Sequence, residues 1–270
     1  VAADLFKPLS ATAENPAPLV VVVPGFQRSR EALANIAIEL ARRGIVVISI
    51  DPYAQGRSSS SYSRRAATTE GYGMFAVVDY AASSENLNYI DKSRIASTGH
   101  SAGGNAAIRG ANYFGRQAQE SGLPSKLHSV FVSGYVLTLQ DEVLKDVRSN
   151  IGVSYAFYEE GAYRNELENG DMRIAPEALR VVNLDRDPAL PPVEEVELGH
   201  YYGNLDERTL RVVHNERIIH PFQPYMPEAT ANQLEYFEHV FGMDFELSHD
   251  DQVWYWKELL GALSLIAALC

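Results

Sequence analysis

The stretch Arg94-Ile95-Ala96-Ser97-Thr98-Gly99-His100-Ser101-Ala102-Gly103-Gly104-Asn105-Ala106-Ala107 decides how the rest of the chain is read. A short run suited to a buried strand stops at Gly99, and small residues after Ser101 lead into an Ala-rich segment, so Ser101 stands where strand turns into helix. Gly-x-Ser-x-Gly in that setting predicts a tight, strained elbow that exposes a serine hydroxyl at the carboxyl end of a strand. Gly99 and Gly103 remove the side chains that would collide there. The helix that follows aims its amino terminus at the same spot, where the peptide N–H of Ala102 can donate to an oxyanion.

Outward from the elbow, the chain reads as alternating buried strands and helices. Leu19 to Val23 is a continuous apolar run bounded by Pro18 and Pro24, and Ile45 to Ile50 is a second. Such runs fit strands covered on both faces. Between them Leu33, Ile36, Ala37 and Leu40 recur at helical spacing from Arg30 to Arg43, with Ser29 as cap and Gly44 as terminator. Strand, helix, strand in that order predicts a right-handed parallel crossover. A helix is expected over 68–86 and another over 106–117 behind the elbow. Further strands are expected over 127–132, 150–158 and 208–213, and a closing helix over 229–240. The fold class is therefore α/β: a mostly parallel central sheet with helices on both faces.

A chain of 270 residues, 46% hydrophobic, can bury one full core. The formal charge of −12 and the absence of a Lys/Arg cluster argue against nucleic acid as a partner. His-Glu-x-x-His, paired cysteines, calcium loops, a P-loop and Gly-x-Gly-x-x-Gly are all missing, so neither a metal nor a cofactor is expected. The single cysteine, Cys270, allows no intrachain disulfide.

The elbow resembles that of the α/β-hydrolase superfamily, in particular its dienelactone-hydrolase-like and acyl-esterase-like members, over residues 18 to 242. The resemblance implies serine-dependent cleavage of a small-molecule ester or related acyl bond. It also implies an order of Ser, acid, His along the chain. Pro24-Gly25 is similar to the His-Gly turn that ends the corresponding strand in these enzymes, with Pro in place of His. That similarity makes the Phe26 N–H the candidate second oxyanion donor, with Gln27 as its neighbour. The base is expected late, after the last strand, and His220 in Ile218-Ile219-His220-Pro221 fits. His214 is the alternative, and His200 reads as a loop residue. The acid is expected after the 150–158 strand, where the family usually has Asp and this chain has Glu159. Glu160 is a close alternative, as are Asp185 and Asp187.

Three further expectations concern organisation. Residues 1–250 read as the hydrolase domain, and 161–207, acidic and weakly periodic around Pro191-Pro192, as an insertion or cap over the pocket. Residues 251–270 form an apolar tail behind Trp254, Tyr255, Trp256 and Lys257, which reads as the start of a transmembrane helix and so as a membrane anchor. An extracytoplasmic, membrane-anchored location follows from that tail, with a cytoplasmic one as the alternative. The functional alternative is a catalytically silent hydrolase-fold binding module of a membrane-anchored protein.

Overall fold

The computed structural model describes residues 1–269; Cys270, and with it the disulfide expectation, lies outside the described residues. The strands are β1 (Ala3–Phe6), β2 (Ala17–Val23), β3 (Val46–Ile50), β4 (Ile90–His100), β5 (Ser129–Ser133), β6 (Asn150–Ser154) and β7 (Arg211–His214). The helices are α1 (Ala34–Arg42), α2 (Ala66–Thr69), α3 (Met74–Ser83), α4 (Ala102–Ser121), α5 (Asp141–Leu144), α6 (Pro176–Asn183), α7 (Pro227–Phe241) and α8 (Trp254–Leu269). One seven-stranded sheet has the order β1-β3-β2-β4-β5-β6-β7. Only β1 runs antiparallel to its neighbour.

The continuous apolar strands are explained by what covers them. Val21 and Val23 of β2 pack into a core with Met74, Phe75, Ala107 and Phe114, under α3 and α4. Val20 and Val22 pack on the opposite face with Leu33, Ile36, Leu40 and Phe237, under α1 and α7. Alternation along the strand thus feeds two cores, and no face is left for polar residues.

Several expected elements change form. The 68–86 helix is broken: Gly71, Tyr72 and Gly73 all take positive φ, at 51°, 56° and 101°. A Cβ on Gly71 would stand 2.4 Å from the Phe75 ring, so only glycine lets that turn close on α3. The 30–43 helix opens with a 3₁₀ turn, Arg30–Leu33, before α1. The 150–158 strand ends at Ser154, which leaves Glu159 in a loop rather than at a strand end. Within 161–207, Met172, Ala178, Val181, Val182 and Val196 belong to the same buried core as Ala107 and Phe114 of α4.

The tail forms α8, exposed along its length except at Trp254. Its root is held tightly. The fully buried Glu39 accepts the N–H groups of Val253 and Trp254 at 2.7 and 3.1 Å through Oε1. Its Oε2 pairs with Arg42 and Arg43 at 2.7 and 2.9 Å. No helix among the described residues is long and apolar enough to cross a membrane.

Candidate active site

Ser101 occupies the one residue between β4 and α4, with φ 58° and ψ −117°. A non-glycine residue in that region stores about 1–3 kcal/mol of strain, which the surroundings must impose. They do so by two bonds: Ser101 N–H donates to Ser133 O at 2.8 Å, and Asn105 N–H donates to Ser101 O at 3.0 Å. The close approach of α4 to the sheet does the rest. A Cβ on Gly103 would stand 1.9 Å from Val23 O, and one on Gly99 2.5 Å from Gly103 C. The spacing of glycines around Ser101 is therefore the imprint of a helix end pressed onto β2 and β4.

The loop after β2 lies against the same serine. A Cβ on Gly25 would be 3.5 Å from Ser101 Cβ. Phe26 N–H donates to no described residue. Ala102, first in α4, has no carbonyl four residues back inside its helix. Both N–H groups are thus unspent beside Ser101. The loop is fixed from behind: Arg28 N–H donates to Gly25 O at 3.2 Å and to Gln55 Oε1 at 2.8 Å. Asp51 then accepts Arg30 N–H at 2.9 Å and Arg57 N–H at 2.7 Å, and pairs with the Arg30 guanidinium. Burial opposes ionisation of Asp51, but these donors outweigh it and hold its carboxyl below the usual range.

Two loops at the other edge bring His220 and Glu159 together. His220 Nδ1 lies 2.7 Å from Glu159 Oε2. Glu159 is nearly buried, its side chain 6% exposed. Glu160 contributes differently, its Oε2 accepting the His220 backbone N–H at 3.0 Å. The 3₁₀ turn His220–Tyr225 is tied down by Gln223, which donates to Ser154 Oγ at 2.7 Å and Glu216 Oε2 at 3.1 Å. Glu216 is buried, and that burial raises its pKa despite bonds from Asn232, Ser154 and Gln223.

Ser101 and His220 line one cavity of about 200 Å³, with Gly25, Phe26, Arg28, Ala32, Leu33, His100, Pro221, Pro224 and Tyr225. With Nδ1 engaged by Glu159, Nε2 is the nitrogen left for Ser101. No direct Ser101–His220 hydrogen bond is formed in this state; such contacts commonly tighten only when substrate is bound. His100 is buried beside the cavity, its ring centroid 4.4 Å from that of His220. Burial, followed by the neighbouring charge of His220, pushes its pKa down to about 3, so it stays neutral.

The remaining candidates lie elsewhere. His214 ends β7, buried against Phe131, its pKa lowered by burial to about 4. Asp185 pairs with Arg211 at 3.2 Å, at the opposite end of β7 from His214. Asp187 accepts Ala189 N–H, and His200 packs on Tyr202 at the surface. None of the cavity-lining residues falls between 161 and 207, so the cap expected there does not border the cavity. Arg28, Leu33, Pro224 and Tyr225 were not among the sequence candidates. Arg28 alone had a readable signal, its place three residues after the Pro-Gly turn.

A family model described as PET hydrolase-like matches residues 2–165. No curated protein matches. Among solved structures, the chain is similar to Est1E from Butyrivibrio proteoclasticus, determined with ferulic acid bound, at 13% identity and TM-score 0.53, covering 88% of this chain and 92% of that one. Esterase 2 from Thermogutta terrifontis, phosphoramylated by tabun, is 12% identical with TM-score 0.57 and 90% of each chain covered. A dienelactone hydrolase from Anabaena variabilis is 16% identical with TM-score 0.55, covering 88% of this chain and 90% of that one. At these identities the likeness speaks for the fold.

Proposed function

Because the chain belongs to the PET hydrolase-like family, within the α/β-hydrolase superfamily, we propose that it is a serine hydrolase that cleaves carboxylic esters through an acyl-enzyme. The observation that carries this reading is the Glu159–His220 pair at 2.7 Å, bordering the same cavity as the strained Ser101. Serine needs a base to become nucleophilic near neutral pH, and the imidazolium that results needs a carboxylate behind it.

In this mechanism Ser101 Oγ attacks the ester carbonyl while His220 Nε2 takes its proton. Glu159 holds the imidazole through Nδ1–H and stabilises the positive ring. The tetrahedral oxyanion accepts the N–H groups of Phe26 and Ala102, each worth about 3 kcal/mol at comparable sites. Collapse breaks the bond to the alcohol, which leaves with the proton from His220. Water, deprotonated by the same His220, attacks the acyl-enzyme, and the proton returns to Ser101 as the acid departs.

The test is labelling of the purified protein by a fluorophosphonate. The expected result is stoichiometric labelling that Ser101→Ala abolishes and His220→Ala slows strongly, with kcat for ester cleavage reduced about 10⁶-fold by Ser101→Ala. A folded wild-type protein that takes up no label would place the silent binding module ahead.

The same reading takes residues 1–250 as the hydrolase domain and α8 as a lipid-contacting element. Leu259, Leu260, Leu263, Leu265, Ile266 and Leu269 are all exposed, so beyond Glu258 the helix is apolar nearly all round rather than striped. At about 1.5 Å per residue its 16 residues are shorter than a bilayer core, and Trp254, Tyr255 and Trp256 suit the interface at its root. Co-flotation with phosphatidylcholine vesicles is expected, and is to be lost on Leu259→Ser/Leu263→Ser/Ile266→Ser; a wild-type protein that stays at the bottom of the gradient would refute it.

A further inference from the structure

The cavity beside Ser101 has a charge pattern opposite to that of the chain. With 35 Asp and Glu against 23 Lys and Arg, the molecule is strongly acidic, yet no carboxylate lines this cavity. Its one permanently charged residue is Arg28. Arg28 is itself exposed, at the solvent side of the cavity, whereas most buried or half-buried arginines are engaged: Arg30 with Asp51, Arg42 and Arg43 with Glu39, Arg94 with Asp91, Arg211 with Asp185. The Arg28 guanidinium makes neither an ion pair nor a hydrogen bond with any described residue.

The backbone that carries it is held in place. Arg28 N–H is shared between Gly25 O and Gln55 Oε1, which fixes the point from which the side chain leaves the backbone. From there it folds back over the turn after β2. Arg28 Cγ lies 4.0 Å from the place a Cβ on Gly25 would occupy, and Ser101 Cβ lies 3.5 Å from that same place. A guanidinium launched from so near the serine can reach a group attached a few bonds from a carbonyl under attack. Its charge is already felt there, as one of the influences that keep His100 neutral. Phe26, Leu33, Pro221, Pro224 and Tyr225 supply apolar wall around it.

We propose that Arg28 selects esters whose acyl part carries a second, free carboxylate, so that the preferred substrates are half-esters of dicarboxylic acids with an apolar spacer. A carboxylate matches the planar fork of an arginine in two parallel hydrogen bonds, and the low-charge wall gives the spacer a surface to lie on. The inference rests on the hydrolase reading above, since it places the scissile carbonyl at Ser101.

The experiment compares adipic acid monoethyl ester with its neutral counterpart, the ethyl ester of adipic acid monoamide. The expected ratio of kcat/KM, acid over amide, is about tenfold or more in the wild-type protein, carried mainly by KM. Arg28→Gln is expected to bring that ratio close to one, Arg28→Lys to keep part of it, and added salt to erode it. A wild-type ratio near one, or a ratio that Arg28→Gln leaves unchanged, would overturn the inference while leaving the hydrolase reading intact. If neither ester is cleaved, fluorophosphonate labelling decides the hydrolase reading, and calorimetry decides the role of Arg28. Hexanoate should then bind the wild-type protein at least tenfold more tightly than hexanamide and lose that margin in Arg28→Gln; equal binding would sink the role of Arg28.

Discussion

The two sides of the cavity are built by different means. On the Ser101 side, position is imposed by backbone against backbone, with Gly99 and Gly103 pressed on Val23 O and Ser101 N–H held by Ser133 O. On the His220 side, position is imposed by side chains reaching between loops, Glu159 to the ring and Glu160 to the peptide. The first arrangement tolerates no added atom, because nothing near it can move. The second can be loosened one hydrogen bond at a time.

That contrast can be broken or sharpened by measurement. The largest effect is expected from Glu159→Gln, which keeps the shape but leaves a neutral partner for the imidazole; kcat should fall about 10³–10⁴-fold with the fold intact. A loss below tenfold would move the acid role to another carboxylate. Next, Gly103→Ala should cost about 4 kcal/mol or more of stability in urea titration, since the new methyl meets a carbonyl and not a flexible side chain. If it unfolds like the wild type, the backbone account of the Ser101 side is wrong.

A third effect concerns the buried histidines. Burial lowers the pKa of His100 to about 3 and of His128 and His214 to about 4, against an ordinary value of about 6.5. The unfolded chain therefore binds protons that the folded one refuses, so their contribution is complete above pH 6.5 and is lost as pH falls toward 4. Each adds a slope of up to about 1.4 kcal/mol per pH unit, and His214→Gln should flatten the stability profile in that window. An unchanged profile would show that His214 is not neutral in the fold. The smallest effect is expected from Glu160→Gln. Its amide oxygen still accepts the His220 N–H, so kcat should stay within about threefold; a Glu159-sized loss would mean that both carboxylates act on the ring.

The same division governs how much could be read from the sequence. The Ser101 side was legible because backbone crowding leaves a mark in residue type, glycine where a Cβ cannot fit and unbroken Val runs where both sheet faces are covered. The His220 side offered only residue order and resemblance, which left Glu159, Glu160, Asp185 and Asp187 open as acids. Whether a carboxylate faces a ring depends on how loops 61 residues apart in sequence meet in space. The share of the 161–207 segment in the core was hidden because its acids and Pro191-Pro192 outweigh the few apolar residues, Val181 and Val182 among them, that α6 sends into the core. Left-handed Tyr72 was hidden likewise, since the apolar spacing that resumes at Met74 masks the break before it.

The place of β7 at the edge of the sheet has a further consequence. His220 follows the last strand of the order, paired in full with β6 alone and touched on its open side by a single bridge from Tyr202. Ser101 follows β4, which has a strand on either side. Edge elements open at lower free energy than central ones. Fraying of β7 would carry the base away while the serine, its strain and its oxyanion donors stayed in place. Inactivation by mild heat or denaturant should thus precede global melting, and the idled protein should recover fully as the edge strand zips back.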